Sequence, residues 1–144
     1  MRLHRHTLRL PPRRRGLHEI TDAVAAVVAE AGVSTGLCHL FLLHTSASLL
    51  VQENADPAVL HDLEAWFAEA APDGSPRWRH SDEGPDDMPA HLRTALTQTS
   101  ITLPVDEGRL LLGTWQGLYL FEHRLEPHAR RLVATVWGPS PEAA

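Results

Sequence analysis

The spacing of apolar residues changes along this chain from a helical period to an extended one, and that change limits the fold more than any other feature. A helical period of i, i+3, i+4 and i+7 runs through residues 18–31 and ends at Gly32. A second helix is predicted to begin at Asp56-Pro57, because aspartate caps helices and proline suits their first turn, and to end near Ala71. A third helix is predicted over about 88–98.

The remaining segments are typical of β-strands. Residues 2–10 look extended and end at Pro11-Pro12, and the apolar run 36–43 is typical of a buried strand. Further strands are predicted over 99–105, 109–113, 114–123 and 131–137, with a hairpin turn at Asp106-Glu107-Gly108. This order of elements predicts an α+β fold with a largely antiparallel sheet and about three helices packed on one face.

Size and charge narrow the class of protein. The 144 residues make one domain, predicted over 1–138, with 139–144 as a loose tail. A net charge of −5 argues against nucleic-acid binding, although six of the first 15 residues are arginine, which predicts a solvated edge strand or an anion-binding arm. Without a signal peptide or an 18-residue apolar stretch, we expect a cytoplasmic protein with no membrane partner.

Two features of the composition limit the chemistry. The chain has no lysine, which excludes Schiff-base and lysine-nucleophile catalysis. Its single cysteine, Cys38, cannot form an intramolecular disulfide or a thiolate zinc cluster. Because Cys38 lies inside the apolar run 36–43, we expect a buried, inert thiol.

Two short polar groups follow the run 36–43 and precede the second helix. In His44-Thr45-Ser46-Ala47-Ser48, alternate residues share one face if the strand continues. A histidine beside hydroxyls can act as a base or metal ligand, and hydroxyls can meet phosphate oxygens, but these residues can equally form local turns. In Glu53-Asn54, neither residue has an evident structural role, so the carboxylate could orient a histidine, hold a divalent ion or bind an amine.

A third polar group, residues 80–91, packs four carboxylates and two histidines into twelve positions. Such crowding of anions needs relief by a cation or by arginines, and Arg77, Arg79 and Arg93 flank the group. A set of histidine and carboxylate ligands without a thiolate is more typical of a zinc, manganese or iron centre than of a structural zinc site. The cofactor prediction is therefore a divalent metal (Zn, Mn or Mg), with arginine pairing as the alternative.

The fourth polar group is Gly113-Thr114-Trp115-Gln116-Gly117 followed by Glu122-His123-Arg124. Glycines inside a strand pattern indicate a bulge or the close approach of a ligand or another backbone. The second triplet puts a carboxylate, an imidazole and a guanidinium at the end of one strand. It predicts either a functional cluster or a half-exposed ion pair.

At these four groups the sequence resembles the YjbQ family. The matching segments are His44-Thr45-Ser46-Ala47, Glu53-Asn54-Ala55-Asp56-Pro57, the whole of 79–91, Gly113–Gly117 and Glu122-His123-Arg124. The resemblance implies an α+β subunit assembled as a homotrimer. It also implies a secondary thiamine-phosphate synthase activity, which joins a pyrimidine pyrophosphate to a thiazole phosphate and releases pyrophosphate.

Three functions remain open from the sequence. The first is an enzyme, such as a thiamine-phosphate synthase-like transferase, acting on a small phosphorylated ligand. The second is a metal-dependent hydrolase or metal-binding protein. The third is a non-catalytic trimeric module whose four polar groups form subunit contacts. The candidate catalytic residues are His44, Glu53, His80, Asp82 and His123. The candidate substrate-binding residues are Ser46, Asn54, Arg79, Thr114, Gln116 and Arg124. The candidate metal ligands are His44, His80, His91 and His123.

Overall fold

The structure, a computed structural model, describes residues 1–140. Three helices lie among eight strands in this part of the chain. In chain order the elements are β1 (Arg2–Leu10), β2 (Gly16–Glu19), α1 (Thr21–Ala31), β3 (Gly36–Leu42), β4 (Ala47–Glu53), α2 (Pro57–Ala70), α3 (Asp87–Leu96), β5 (Ser100–Asp106), β6 (Arg109–Leu110), β7 (Gln116–Glu122) and β8 (Arg130–Gly138).

The strands form two antiparallel sheets, whereas the sequence predicted one. Five strands pair in the order β1-β8-β3-β5-β6, and three pair in the order β2-β7-β4. Two strands of the smaller sheet were not predicted. β4 was missed because it is covered on both faces at its start, so its residues do not alternate between apolar and polar. β2 was missed because its last two residues were assigned to the start of the following helix, predicted over 18–31.

The helix ends confirm the predicted signals. Gly32 ends α1 with a φ of +65°, a left-handed conformation that favours glycine. The Asp56 carboxylate caps α2 by accepting a hydrogen bond of 2.9 Å from Ala58 N, and Pro57 occupies the first helical position. Capping thus accounts for Asp56, which the sequence had already assigned to structure.

The helices are divided between the sheets and do not all pack on one face. α1 contacts β1, β6 and β8 of the five-stranded sheet, and it also reaches β7. By contrast, α2 contacts β2 and α3 contacts β4, both in the three-stranded sheet. α3 is therefore placed beside the beginning of β4, where the first polar group lies.

The core fills one face of the five-stranded sheet and leaves the other open. Leu40, Leu132 and Val136 are fully buried, and Cys38 is buried as predicted. The opposite face exposes apolar side chains, among them Leu37 (39% exposed) and Phe41 (43% exposed). In the described residues β1 lies at the edge of this sheet, which places the arginine-rich segment at the edge, as expected.

Two further predictions concern the C-terminal tail and the absence of a membrane-spanning helix. Pro139 and Ser140 lie outside the strands, and residues 141–144 of the predicted tail lie outside the described residues. Within residues 1–140, no helix has both the length and the apolar character needed to cross a membrane.

Candidate functional site

The third polar group folds into a cluster of two histidines and one buried carboxylate. Asp87 and His91 lie one turn apart on α3, and the preceding loop brings His80 against them. His80 Nε2 is 2.7 Å from Asp87 Oδ2, and His91 Nε2 is 3.4 Å from Asp87 Oδ1. One ligand atom from each residue lies within 4.8 Å of the other two. The spacing suits one shared cation.

One oxygen of the Asp87 carboxylate lacks the hydrogen bond that its burial demands, whereas the other accepts from Arg124. Its side chain is 3% exposed, and Oδ2 has no hydrogen-bond partner among the described residues. His80 Nε2 is near enough to bond Oδ2, but the 2.7 Å contact does not have hydrogen-bond geometry. Ligand atoms that share a metal through bonds of about 2.0–2.2 Å stand roughly 3 Å apart. The two N···O distances of 2.7 and 3.4 Å are close to that separation, and the third pair of ligand atoms lies within 4.8 Å.

The orientation of His91 fixes which ring nitrogen faces Asp87. His91 Nδ1 lies 3.1 Å from the carbonyl oxygen of Thr45. Because a carbonyl can only accept, Nδ1 carries the hydrogen and Nε2 presents a lone pair to Asp87. A lone pair and a carboxylate repel each other unless a second proton on His91 or a metal cation lies between them. Metal-bound histidines commonly make this backbone contact through their other nitrogen.

Arg124 is bound to carboxylates, although it was predicted to meet a phosphate. Its Nε donates to Asp86 Oδ2 at 2.9 Å, and one terminal nitrogen lies 3.3 Å from Asp87 Oδ1. Burial opposes ionisation of Asp86, but hydrogen bonds from Leu125 N and Arg124 outweigh it and lower the pKa of that carboxyl. Arg124 therefore bonds Asp86 and also Asp87 Oδ1, and Asp87 Oδ2 is the oxygen left facing His80.

Exposed residues of the same loop border this cluster. Arg79 and Asp82, both predicted site residues, are exposed. Asp87, and not Asp82, supplies the carboxylate of the cluster. The i, i+4 spacing of Asp87 and His91 was the sequence signal that could have identified this pair, but the helix was predicted to begin only at about residue 88, whereas α3 begins at Asp87.

His123 is buried away from solvent and does not join the cluster of His80, Asp87 and His91. Its Nε2 lies 2.8 Å from Ser48 Oγ, which is 2.6 Å from Thr97 Oγ1, and that hydroxyl lies 2.7 Å from the carbonyl oxygen of Arg93. Since the chain ends on a carbonyl, each group donates toward it and His123 carries its hydrogen on Nε2. Burial, together with Arg93, Arg15 and Arg130, lowers the pKa of His123 to about 3. These surroundings favour the neutral form of the His123 imidazole.

His44 also lies outside the cluster. Its Nε2 accepts a hydrogen bond of 2.8 Å from Arg131 N, and it lines an open cleft of about 510 Å³ together with Ser46 and Thr94. Burial and the charges of Arg130 and Arg131 lower the pKa of His44. The four histidines predicted as metal ligands therefore do not form one centre, because only His80 and His91 come together.

Glu122 forms the ion pair that the sequence offered as an alternative, but the pair is buried. Glu122 is fully buried, and its carboxylate accepts hydrogen bonds from Arg130 Nε at 2.7 Å and from a terminal Arg130 nitrogen. Arg130 also donates to the Ser46 carbonyl at 3.2 Å, which ties the first polar group to β7 and β8. Sequence reasoning missed Arg130, because nothing distinguishes it from the neighbouring Arg131.

The remaining predicted residues lie at the other end of the three-stranded sheet. In the β4–β7 register Ala47 is opposite Glu122, whereas Glu53 is opposite Gln116. Six residues of strand separate these ends, about 20 Å at roughly 3.3 Å per residue. The sheet thus divides the predicted site into two, and Glu53 cannot orient His44 within one chain.

The glycines near Gln116 have a local explanation. Gln116 Oε1 accepts a hydrogen bond of 2.8 Å from Gly113 N and closes a turn, and Thr114 is exposed beside it. A Cβ atom on Gly117 would lie 2.9 Å from Glu19 Oε2 and 3.2 Å from Asn54. The close approach predicted at this position is thus made by two side chains of the same chain.

Known proteins are similar to this chain in both sequence and fold. The family described as UPF0047 protein YjbQ-like matches residues 6–139. A UPF0047 protein of Synechocystis is 52% identical over 137 residues, covering 95% of this chain and 93% of the relative. The UPF0047 protein YjbQ of Escherichia coli O157:H7 is 46% identical over 133 residues, covering 92% and 96%.

Solved structures agree with this relationship. A crystal structure of a YbjQ-like protein of unknown function from Sulfolobus solfataricus superposes with a TM-score of 0.85 at 25% identity, covering 95% of this chain and 98% of that one. A conserved hypothetical protein from Thermus thermophilus superposes with a TM-score of 0.79 at 40% identity, covering 89% and 97%. On the match along nearly the whole chain, this protein belongs to the UPF0047 YjbQ-like family.

Proposed function

We propose that this protein binds one divalent transition-metal ion between His80, Asp87 and His91, and uses it to act on a small phosphorylated molecule. One observation carries the proposal: the buried Asp87 carboxylate has an oxygen without a hydrogen-bond partner in residues 1–140, and two imidazole nitrogens lie within 3.4 Å of its oxygens. A buried polar atom normally has a hydrogen-bond partner. The unpaired Asp87 oxygen therefore indicates a partner that the protein chain itself does not supply.

The donor set favours zinc or manganese. Two imidazoles and one carboxylate, without a thiolate, suit those ions, whereas magnesium prefers oxygen ligands alone. Three protein ligands leave a coordination position for water or substrate, as catalytic sites require and structural sites do not. The Thr45 carbonyl keeps the His91 Nε2 lone pair directed at the ion.

The surroundings of the cluster suit substrate access. The His80 side chain is 51% exposed, so the cluster is open to solvent beside His80. The Asp87 side chain, 3% exposed, forms the buried side of the cluster. A bound divalent ion would act as a Lewis acid toward a phosphoryl oxygen and lower the pKa of its water. Arg79 and Asp82, exposed on the same loop, are available to pair with a phosphate and to exchange a proton.

The metal itself is the first test. Untagged protein should retain close to one zinc or manganese per chain after dialysis, measured by plasma mass spectrometry. His80→Gln and Asp87→Asn should lose it, whereas His61→Gln, a change to an exposed histidine on α2, should not. Metal-free protein whose melting temperature ignores added zinc and manganese would refute the proposal, and so would metal loss in the His61 variant alone.

The reaction is the second test, and it separates a transferase from a hydrolase. Metal-loaded protein would be assayed for thiamine phosphate formation from the pyrimidine pyrophosphate and thiazole phosphate, and for hydrolysis of simple phosphate esters. We expect whichever activity is present to fall at least about 100-fold in Asp87→Asn, since an essential metal supplies several kcal/mol. An activity that survives both Asp87→Asn and a chelator does not use this site.

We further propose that the chain assembles as a homotrimer through the open face of the five-stranded sheet. Support comes from the apolar residues exposed on that face, which include Leu3, Leu37 and Phe41, since large exposed apolar side chains grouped on one face mark an interaction surface. Light scattering should give three times the 15.9 kDa chain mass, and Phe41→Glu should reduce it. A wild-type mass of one chain would rule the trimer out.

A further inference from the structure

Arg93 is a buried cation without a carboxylate partner. The residue is 3% exposed, and no Asp or Glu of the described residues lies within ion-pair distance of it. One terminal nitrogen donates to the carbonyl of Ala71, at the end of α2, at 3.3 Å. Its Nε is buried and has no hydrogen-bond partner in residues 1–140. Buried arginines are almost always paired, so this arrangement requires an explanation.

A cavity is lined in part by Arg93. It has a volume of about 220 Å³ and is lined by Arg93 of α3, Phe121 of β7, Glu64 and Ala68 of α2, and Arg15. At about 30 Å³ per water molecule, that volume suits a small organic molecule or several waters. The cavity is on the other side of α3 from the metal cluster, because Arg93 follows His91 by only two helical positions and turns to the opposite face.

The charges around the cavity restrict its ligand. Arg15 is already neutralised, since two of its nitrogens bond the Asp73 carboxylate at 2.7 and 2.9 Å and its Nε donates to the carbonyl of His123. Glu64 Oε1 accepts from Leu17 N at 3.1 Å and adds negative charge at the exposed rim. With Arg15 paired, the lining keeps one positive charge from Arg93 and one negative charge from Glu64, so it carries little net charge and favours a monoanion over a dianion such as phosphate.

We infer that this cavity is a second binding site, which takes a small monocarboxylic acid with its carboxylate on the Arg93 guanidinium and its carbon chain against Phe121 and Ala68. A guanidinium presents N–H donors in a fork that matches a carboxylate. The aromatic ring and the methyl group supply apolar walls, which a purely inorganic ion would not use. The site does not depend on the metal centre, and it can bind its ligand when that centre carries none.

The test follows the Arg93 Nε–H resonance by NMR during titration with butyrate, acetate, phosphate and chloride at equal ionic strength. Butyrate should give a saturable shift and bind more tightly than acetate, by up to about four-fold for each extra buried methylene. Phosphate should bind more weakly than butyrate, and chloride should produce no saturable shift.

Variants place the ligand in the cavity. Ala68→Leu should weaken butyrate binding at least ten-fold by filling the volume, whereas Ala65→Leu, an exposed position on the same helix, should not. Arg93→Gln, followed through the Phe121 amide, should abolish saturable binding, and Ala68→Leu keeps the test valid if that variant fails to fold. Butyrate binding that is unaffected by Ala68→Leu overturns the site. So does equal binding of chloride, preference for phosphate, or an Nε–H that responds to nothing because a second copy already fills the cavity.

Discussion

Mild acid should destabilise this protein through His123. Burial, with Arg93, Arg15 and Arg130, lowers the pKa of this imidazole from 6.5 to about 3. In the unfolded chain the same ring gains its proton near its ordinary pKa, so between these values the unfolded state binds one more proton than the folded state. The stability that neutral His123 provides is therefore present above about pH 6.5 and is lost as the pH falls toward about 3.

The loss can be estimated from the difference between the two pKa values. Each pH unit inside the window costs about 1.4 kcal/mol, so going from about pH 7.5 to pH 4 should remove about 3 kcal/mol of the free energy of unfolding. His123→Gln keeps an N–H donor near Ser48 and does not titrate, so the variant should lack this slope. Its stability at neutral pH should be lower, because the amide fills less space beside Phe121.

Urea denaturation of both proteins, at one protein concentration and a series of pH values, isolates this effect. Carboxylates and His44, whose lowered pKa acts in the same direction, contribute equally to both proteins and cancel in the difference. The reasoning is refuted if the difference in unfolding free energy stays flat between about pH 7 and pH 4. A His123 ring that titrates near pH 6.5 by NMR would refute it equally.

Three further predictions test the fold. Asp56→Ala should cost about 1 kcal/mol by removing the α2 cap, measured by urea denaturation, whereas Asp62→Ala within the helix should cost less. Gly36→Ala should abolish soluble folded protein, since its Cβ would lie 2.1 Å from the backbone oxygen of Trp137; a folded variant with unchanged melting temperature would contradict the close approach of β3 and β8. Burial raises the pKa of Cys38 to about 11, so native protein should react with a thiol reagent at about pH 8 only at the rate of unfolding, and prompt labelling would show an open core.

Local patterns in the sequence determined most of the elements. The cap at Asp56 and the glycine after α1 act within a few residues, so helix boundaries could be read from them without knowledge of the rest of the chain. The division into two sheets could not be read in this way. It depends on which strands pair, and β4, covered on both faces at its start, carries no alternation to reveal it.

The sequence by itself identified the four polar groups and predicted metal ligands within 80–91, where Asp87 and His91, one helical turn apart, are local neighbours. Only the tertiary structure decided which of these polar groups lie close together. The register of β4 against β7 puts Glu53 at the opposite end of a strand from the first polar group, and packing of β7 seals His123 in the core. The same packing leaves Arg93 buried without a carboxylate among the described residues, because burial and pairing depend on residues far apart in the chain.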